Sequence, residues 1–181
     1  ARNLLLDINN MGIPVGCEFL DVFTPQYYAD LVTWGAIGAR TTECQLHRQL
    51  ASGLSMPIGF KNGTTGNIDI AADAIISASN SHVFLGINNL GVASIVETTG
   101  NNDLHIILRG SKKDTNYDEE SVNKACDILK SKNLNTSIMI DMSHGNSRKI
   151  HYNQILVCKS ICEQINKGNT KYVGVLVEPT I

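Results

Sequence analysis

The stretch SIMIDMSHGNS, residues 137–147, decides the fold, because its apolar run ends abruptly in a cluster of Asp, Ser, His, Gly and Asn. A short apolar run bounded by turn-forming residues is typical of a strand that is buried on both faces of a parallel sheet. His144 then lies just beyond the end of the predicted strand. Its position is informative only if other strands end in a similar way.

Similar apolar runs recur along the chain and predict five further buried strands. They are IPVGCEF (13–19), WGAIGAR (34–40), MPIGFKN (56–62), LHIILRG (104–110) and KYVGVLVE (171–178). Stretches with helical spacing lie between them: TPQYYADLVTWG (24–35), with Thr24 as a predicted N-cap and Pro25 in the first turn, TTECQLHRQLASG (41–53), NIDIAADAIISAS (67–79), DEESVNKACDILKSKN (118–133) and YNQILVCKSICEQINKG (152–168). This alternation predicts an α/β fold with a parallel sheet.

The chain lacks a Gly-rich dinucleotide loop, which favours a (β/α)8 TIM barrel over a doubly wound sheet. A complete barrel needs eight units and about 250 residues, so the 181 residues correspond to about six of eight βα units. We expect one domain, residues 1–181, that is part of a barrel lacking the first two strands and the closing loop and helix. A hairpin around NNLG, near 81–99, interrupts the rhythm.

Each predicted strand ends within a residue or two of a charged residue or a histidine: Glu18, Arg40, Lys61, Arg109, His144 and Glu178. The carboxyl ends of barrel strands share one face, where active sites form. The alternative is that these residues merely mark where burial stops. The three cations suit the phosphate and carboxylate of a small anionic ligand. His144 and Glu178 suit a divalent metal but are too few by themselves, and Glu18 is either a general base or a structural ion-pair partner.

Composition narrows the classes of partner. The formal net charge of −2 gives no general attraction to nucleic acid or to an anionic membrane, and no apolar run reaches the length of a membrane span. Five cysteines without a CxxC pair indicate reduced thiols. No signal-peptide pattern opens the sequence. We therefore expect a cytoplasmic protein with a small-molecule ligand.

Six motifs occur together in this order: GCEFLD (16–21), GARTTE (38–43), ASGLSMPIGFKNGT (51–64), HIILRG (105–110), DMSHGNS (141–147) and GVLVE (174–178). With them the chain resembles type I 3-deoxy-D-arabino-heptulosonate 7-phosphate (DAHP) synthase, also called phospho-2-dehydro-3-deoxyheptonate aldolase. The glycine in SHGNS is closer to the fungal enzymes. The resemblance implies a transferase that joins phosphoenolpyruvate to D-erythrose 4-phosphate, with release of phosphate, as the first step of the shikimate pathway to chorismate and the aromatic amino acids.

The resemblance also implies roles for individual residues. Arg40 and Arg109 match arginines that hold the phosphoenolpyruvate phosphate, and Lys61 matches a lysine near its carboxylate. Glu18 matches a glutamate that positions the attacking water. His144 and Glu178 match two of four ligands of one divalent metal ion (Mn, Fe, Co or Zn). An aromatic amino acid effector is implied near Phe19, Gln26 and Ser55, as is a homodimer or homotetramer.

The chain departs from the family pattern in three places. A metal-binding cysteine on the first strand, a KPRTT segment that contacts both substrates, and a final aspartate ligand have no counterpart here. We therefore expect the 181-residue chain by itself to be inactive. Two alternatives stay open: the related octulosonate phosphate synthase, against which GARTTE argues, and a non-catalytic module that binds the effector.

Overall fold

A computed structural model describes residues 1–179, and their parallel strands form one sheet in the order β1-β2-β3-β6-β7-β8. The strands are β1 Gly16–Glu18, β2 Trp34–Ile37, β3 Ile58–Lys61, β4 Val83–Ile87, β5 Ala93–Glu97, β6 Leu104–Leu108, β7 Ile138–Asp141 and β8 Tyr172–Leu176. All six predicted strands are therefore confirmed, although each is shorter than its apolar run. Their burial is confirmed only in part, because β1 and β8, at the two ends of the sheet order, contain exposed and half-buried residues and no buried one.

Helices separate most of these strands, as the sequence predicts. The α-helices are α1 Arg2–Asn10, α2 Gln45–Ser52, α3 Asp69–Ala78, α4 Glu119–Ser131 and α5 Gln154–Asn166. Short 3-10 helices span Thr24–Tyr27, Ala29–Leu31 and His151–Asn153. The α/β class is confirmed.

The α-helix predicted over 24–35 is wrong, since two 3-10 turns occupy the first half and β2 begins at Trp34. Thr24 is not the N-cap. Instead the Asp21 carboxylate accepts hydrogen bonds from the backbone N–H groups of Phe23, at 2.9 Å, and Thr24, at 2.7 Å. Tyr28, with φ of −148°, then lies outside the helical region and stops the turn.

The chain divides into two compact units, and the first contains Ala1–Phe60 and Ala74–Leu104. Here β1, β2 and β3 pair in parallel, with Gly16 opposite Trp34 and Gly35 opposite Ile58. A Cβ on Gly35 would lie 2.4 Å from the ring of Phe19, which is fully buried. Glycine at this position therefore lets the aromatic ring pack directly on the strand.

The predicted hairpin is confirmed in this unit, with β4 and β5 antiparallel and Leu85 opposite Ile95. Its turn is closed by the Asn88 side chain, whose Oδ1 accepts from the N–H groups of Leu90, at 2.9 Å, and Val92, at 3.1 Å. Gly91 supplies the positive φ of 76° that this turn requires.

The second unit contains Lys61–Asp73 and the chain from His105 onward. Strands β6, β7 and β8 pair in parallel, and every residue of β6 is buried. Helix α4 begins where Asp118 accepts from the N–H of Ser121 at 2.9 Å. Its buried residues Val122, Ala125, Cys126 and Leu129 recur at helical spacing.

Candidate functional site

Three side chains with metal-ligating atoms converge at the strand ends of the second unit. They are Asp141, the last residue of β7, His144, in the following turn, and Glu178, two residues after β8. One donor atom from each lies within 4.8 Å of the others. Within the described part of the chain no other three His, Cys, Asp or Glu side chains converge in this way.

Hydrogen bonds fix the orientation of the His144 ring. Its Nδ1 lies 2.9 Å from Asp141 Oδ2 and 2.8 Å from Ser143 Oγ, while Ser143 Oγ donates to Asp141 Oδ1 at 2.6 Å. The acceptor-only carboxylate assigns the proton to Nδ1, so the lone pair of the neutral ring lies on Nε2. A carboxylate behind a histidine is the usual arrangement around metal-binding imidazoles.

The backbone of the turn after β7 places the histidine at this point. His144 has φ of 45°, in the left-handed region that non-glycine residues seldom adopt. Its backbone C=O accepts from the N–H of Lys149 at 2.9 Å, and the N–H of Ser147 donates to the C=O of Ser143 at 3.1 Å. Unusual backbone conformations of this kind cluster at functional sites.

Lys61, the last residue of β3, brings a positive charge to the same carboxylate. Its Nζ lies 3.4 Å from Asp141 Oδ2, and the two side chains are 3% and 0% exposed. Burial by itself raises the pKa of Asp141, but the hydrogen bond from His144, the Lys61 charge and the hydrogen bond from Ser143 outweigh it, so the pKa is lowered. Asp141 therefore stays ionised between a cation and an imidazole.

The other end of the cluster is held by a glutamine on α5. Gln154 Nε2 donates to the backbone C=O of Glu178 at 2.6 Å, and its Oε1 accepts from the Glu178 N–H at 3.1 Å. The Glu178 carboxylate reaches to 3.7 Å from His144 Nδ1. The backbone of Glu178 is thus positioned by a two-bond clamp, while its carboxylate stays partly exposed.

Three buried asparagines connect the loops that follow β3, β6 and β7. Asn62 Oδ1 accepts from the N–H of Arg109 at 2.8 Å and from Asn116 Nδ2 at 3.1 Å. Asn116 Oδ1 accepts from the N–H of Gly110 at 2.7 Å, and Asn146 Oδ1 accepts from the N–H of Asn116 at 2.8 Å. Each of the three amides both donates and accepts hydrogen bonds. The network therefore holds the loops that carry Lys61, Arg109 and His144 in fixed positions relative to one another.

The donor set fits a divalent cation of the transition series. The imidazole nitrogen and the carboxylate oxygen that His144 and Glu178 offer are ligands that Mn, Fe, Co and Zn accept. The donor atoms of the cluster lie within 4.8 Å of one another, slightly more than the roughly 4.0–4.4 Å that two bonds of about 2.0–2.2 Å can span. The partial exposure of His144 and Glu178, 28% and 34%, leaves the cluster open to solvent ligands or substrate.

The first unit contains the strand-end residues Glu18 and Arg40, both exposed. Gly38 leaves room for the Glu18 carboxylate, because a Cβ at this position would lie 2.4 Å from Glu18 Oε1. Thr41 and Thr42 donate their hydroxyls to the C=O of Gly38, at 3.2 and 3.0 Å, and close the turn that carries Arg40.

A cavity of about 850 Å³ also lies in the first unit. Gln26 and Ser55 line it, together with apolar residues of the hairpin such as Phe84 and Val96. Phe19 does not: its side chain is fully buried, and its ring stacks on Tyr28 with centroids 6.2 Å apart. Gln26 Nε2 donates to Asn89 Oδ1 at 3.0 Å and connects the cavity wall to the hairpin turn.

Comparison with known families explains why these residues occur together. A family model described as the DAHP synthetase I family matches residues 3–181. The chain belongs to the DAHP synthetase I family. The resemblance inferred from the six motifs is thereby confirmed.

Individual relatives within the DAHP synthetase I family are similar over the whole chain. The Phe-sensitive phospho-2-dehydro-3-deoxyheptonate aldolase of Escherichia coli (strain K12) is 53% identical over 178 residues, 98% of this chain and 51% of that protein. The tyrosine-inhibited enzyme of Schizosaccharomyces pombe is 53% identical over 181 residues, 100% of this chain and 49% of that protein. The chain therefore spans about half the length of the curated relatives that it matches.

A solved structure confirms the fold class. The phospho-2-dehydro-3-deoxyheptonate aldolase of Francisella tularensis SCHU S4 superposes with a TM-score of 0.95 at 52% identity, covering 98% of this chain and 52% of that chain. The fold is thus that of a partial (β/α) barrel. Among residues 1–179 no helix has the length and apolar character needed to cross a membrane.

The structure brings together four of the residues that the sequence singled out in this DAHP synthetase chain. Lys61, His144 and Glu178 surround Asp141, and Arg109 begins the loop after β6. Asp141 is the residue that sequence reasoning missed as a candidate. Asp141 is the first residue of the polar cluster that follows the apolar run, and a carboxylate directly at the end of a buried strand is the signal that could have identified it.

Proposed function

We propose that this chain forms part of the catalytic barrel of a DAHP synthase, with residues 1–181 as one domain. The reaction condenses phosphoenolpyruvate with D-erythrose 4-phosphate and water, giving 3-deoxy-D-arabino-heptulosonate 7-phosphate and phosphate, at the start of aromatic amino acid biosynthesis. Family membership supports the reaction. The observation that carries the proposal is the convergence of Lys61, Asp141, His144 and Glu178 at the ends of β3, β7 and β8.

His144, through Nε2, and Glu178, through its carboxylate, would hold one divalent metal ion. When bound, such an ion supplies Lewis-acid polarisation of a carbonyl oxygen. Asp141 keeps the imidazole in the tautomer with its proton on Nδ1, because the carboxylate is ionised and lies 2.9 Å from that nitrogen. We assign Asp141 the role of positioning residue rather than metal ligand, since both of its oxygens already accept hydrogen bonds.

The cations of the site would bind phosphoenolpyruvate, which carries a phosphate and a carboxylate. Arg109 and Arg40 suit the phosphate, because a guanidinium donates two parallel hydrogen bonds to such an anion. Lys61 suits the carboxylate, and its burial makes the attraction strong by excluding water. Glu18 would position the water that adds to phosphoenolpyruvate, since its carboxylate is exposed at the end of β1.

The cavity of the first unit would bind an aromatic amino acid that regulates the enzyme. Similar proteins are named Phe-sensitive, Trp-sensitive and tyrosine-inhibited. The cavity combines apolar walls from the hairpin with polar groups of Gln26 and Ser55, which suits a ligand with an aromatic ring and a polar end. Phe19 is outside the cavity lining and stacks on Tyr28, which lies between the lining residues Tyr27 and Ala29.

We also propose that the protein acts in the cytoplasm as a homodimer or homotetramer whose ligands are small molecules. The formal net charge of −2 gives it no general attraction to nucleic acid.

Metal binding by the 181-residue chain tests the central part of this proposal. Titration with Mn²⁺, followed by calorimetry, should give one site per chain. The variants His144→Gln and Glu178→Gln should each bind at least tenfold more weakly. His151→Gln, an exposed histidine outside the cluster, is the matched control and should bind as the original chain does.

Substrate binding gives the second readout. With Mn²⁺ present, phosphoenolpyruvate should bind, and Arg109→Gln should weaken this binding while Mn²⁺ affinity stays unchanged. Equal Mn²⁺ affinity in the His144 variant and its control, or a chain that binds Mn²⁺ but not phosphoenolpyruvate, would contradict the proposed function.

A further inference from the structure

A second cationic feature lies beside the His144 cluster and has no role in the function proposed above. Two exposed turns in the second unit form it. The lysine turn, residues 111–114, follows β6 and presents Lys112 and Lys113. The arginine-lysine turn, residues 145–149, follows β7 and presents Arg148 and Lys149.

The lysine turn has a fixed shape. Ser111 Oγ accepts from the N–H groups of Lys113, at 3.0 Å, and Asp114, at 2.8 Å, while the Ser111 N–H donates to the C=O of Asp114 at 2.7 Å. This closed turn projects the two lysines outward. Ser111 therefore has a structural role in this turn.

The arginine-lysine turn holds its cations through an unusual backbone. Arg148 and Lys149 have φ of 53° and 59°, both in the left-handed region. The N–H of Arg148 donates to the C=O of Gly145 at 3.1 Å, and Asn153 Nδ2 donates to the C=O of Ser147 at 2.9 Å. Two consecutive non-glycine residues in this region are rare, and such backbones cluster at functional sites.

The two turns are in direct backbone contact. A Cβ on Gly110 would lie 2.7 Å from the backbone N of Asn146, and one on Gly145 would lie 2.4 Å from the C=O oxygen of Ser111. The N–H of Asn146 also donates to the C=O of Arg109 at 3.2 Å. The relative position of the two cationic turns is therefore fixed by close packing.

A cavity of about 300 Å³ lies between the turns. Eight residues line it: Arg109, Ser111, Lys112, Lys113, His144, Gly145, Arg148 and Lys149. Five of the chain's 15 lysines and arginines are among them, and no carboxylate is, in a chain of net charge −2. Within residues 1–179 no ion pair involves Lys112, Lys113, Arg148 or Lys149.

We propose that this cavity is a phosphate-binding site in which the two turns hold a phosphate dianion beside the metal cluster. Clustered cations repel one another unless an anion lies between them, and guanidinium and ammonium groups are the common ligands of phosphate. The ligand class rests on the proposed function, whose reaction uses two phosphate esters and releases phosphate. Of these five cations, the family resemblance assigns only Arg109.

Phosphate binding by the metal-free chain tests this site. With a chelator present and at low salt, inorganic phosphate is titrated into the 181-residue chain and followed by calorimetry, and D-erythrose 4-phosphate is titrated in a second arm. Two double variants, Lys112→Gln/Lys113→Gln and Arg148→Gln/Lys149→Gln, should each bind phosphate about tenfold more weakly. Each of them loses two exposed cations that pair with the phosphate in the original chain. Added salt should weaken binding to the original chain.

Two controls separate charge from structure. Lys124→Gln/Lys159→Gln makes the same charge change at exposed positions outside the cavity and should bind within about twofold of the original chain. Arg148→Lys/Lys149→Arg keeps the charges and should keep binding. Weaker binding of inorganic phosphate alone supports a site for the free ion, and weaker binding of both ligands supports one for phosphate groups in general.

The inference is overturned if the original chain binds neither ligand, or if the turn variants bind both as tightly as the control does. Parallel Mn²⁺ titrations keep this outcome apart from failure of the proposed function. Loss of phosphate binding with intact Mn²⁺ binding removes only the inference. Phosphate binding without Mn²⁺ binding removes only the proposed function.

Discussion

Replacing Asp141 by Asn tests whether one buried carboxylate supports both the fold and the His144 site. Asparagine has nearly the same size, so the change removes charge and acceptor capacity without opening a cavity. The carboxylate lies 3.4 Å from Lys61 Nζ and accepts from Ser143 N, at 2.9 Å, Ser143 Oγ and His144 Nδ1. An amide at this position keeps one oxygen acceptor and turns two N–H groups towards donors.

The expected loss of unfolding free energy is about 3 kcal/mol. Removing one partner of a buried ion pair typically costs about 3–5 kcal/mol. The lower end applies because the remaining amide oxygen can accept one of the former hydrogen bonds. Mn²⁺ affinity should fall as well, by about 10–100-fold, since the imidazole loses the group that fixes its tautomer.

Urea unfolding of the metal-free chain, monitored by circular dichroism, measures the first effect, and Mn²⁺ calorimetry measures the second. Asp127→Asn is the matched control, because its carboxylate is 77% exposed and lies 3.9 Å from Lys130. That exposed pair should be worth less than about 1 kcal/mol. A loss below 1 kcal/mol for Asp141→Asn, or unchanged Mn²⁺ affinity, would refute the reasoning.

Two other substitutions test the loop packing and a partly buried phenol. Gly110→Ala should lower the free energy of unfolding by about 2 kcal/mol more than Gly12→Ala does. Both glycines have positive φ, 71° and 76°, so the backbone strain is similar. Of the two, only Gly110 would bring a Cβ against backbone, 2.7 Å from Asn146 N. Equal losses on urea unfolding would disprove the clash. Burial is the largest cause that raises the pKa of the Tyr172 phenol, to about 12, and the charge of neighbouring Cys126 is the second. The folded chain then keeps a proton that the unfolded chain releases above about pH 10, so stability falls as pH rises from about 10 to 12. Tyr172→Phe should show a smaller fall between pH 9 and 11 in urea midpoints, and an identical fall would contradict this assignment.

The local pattern of apolar and turn-forming residues was sufficient to predict the strands, most helices and the hairpin. This pattern depends on residues that are only a few positions apart, so it can be read from the sequence directly. It failed at 24–35, where apolar spacing suggested an α-helix. The Asp21 side chain instead closes a 3-10 turn, and Tyr28 leaves the helical region. Competition between a side-chain acceptor and the backbone is not visible in periodicity.

The sequence by itself determined which residues end the strands, since an apolar run must stop where the strand leaves the core. It thereby identified Lys61, His144 and Glu178 as candidates. Only the tertiary structure decided that Asp141 joins them, because its meeting with Lys61 links positions 80 residues apart through strand order and register. The same holds for the two cationic turns, whose proximity depends on glycine contacts between loops that are distant in sequence.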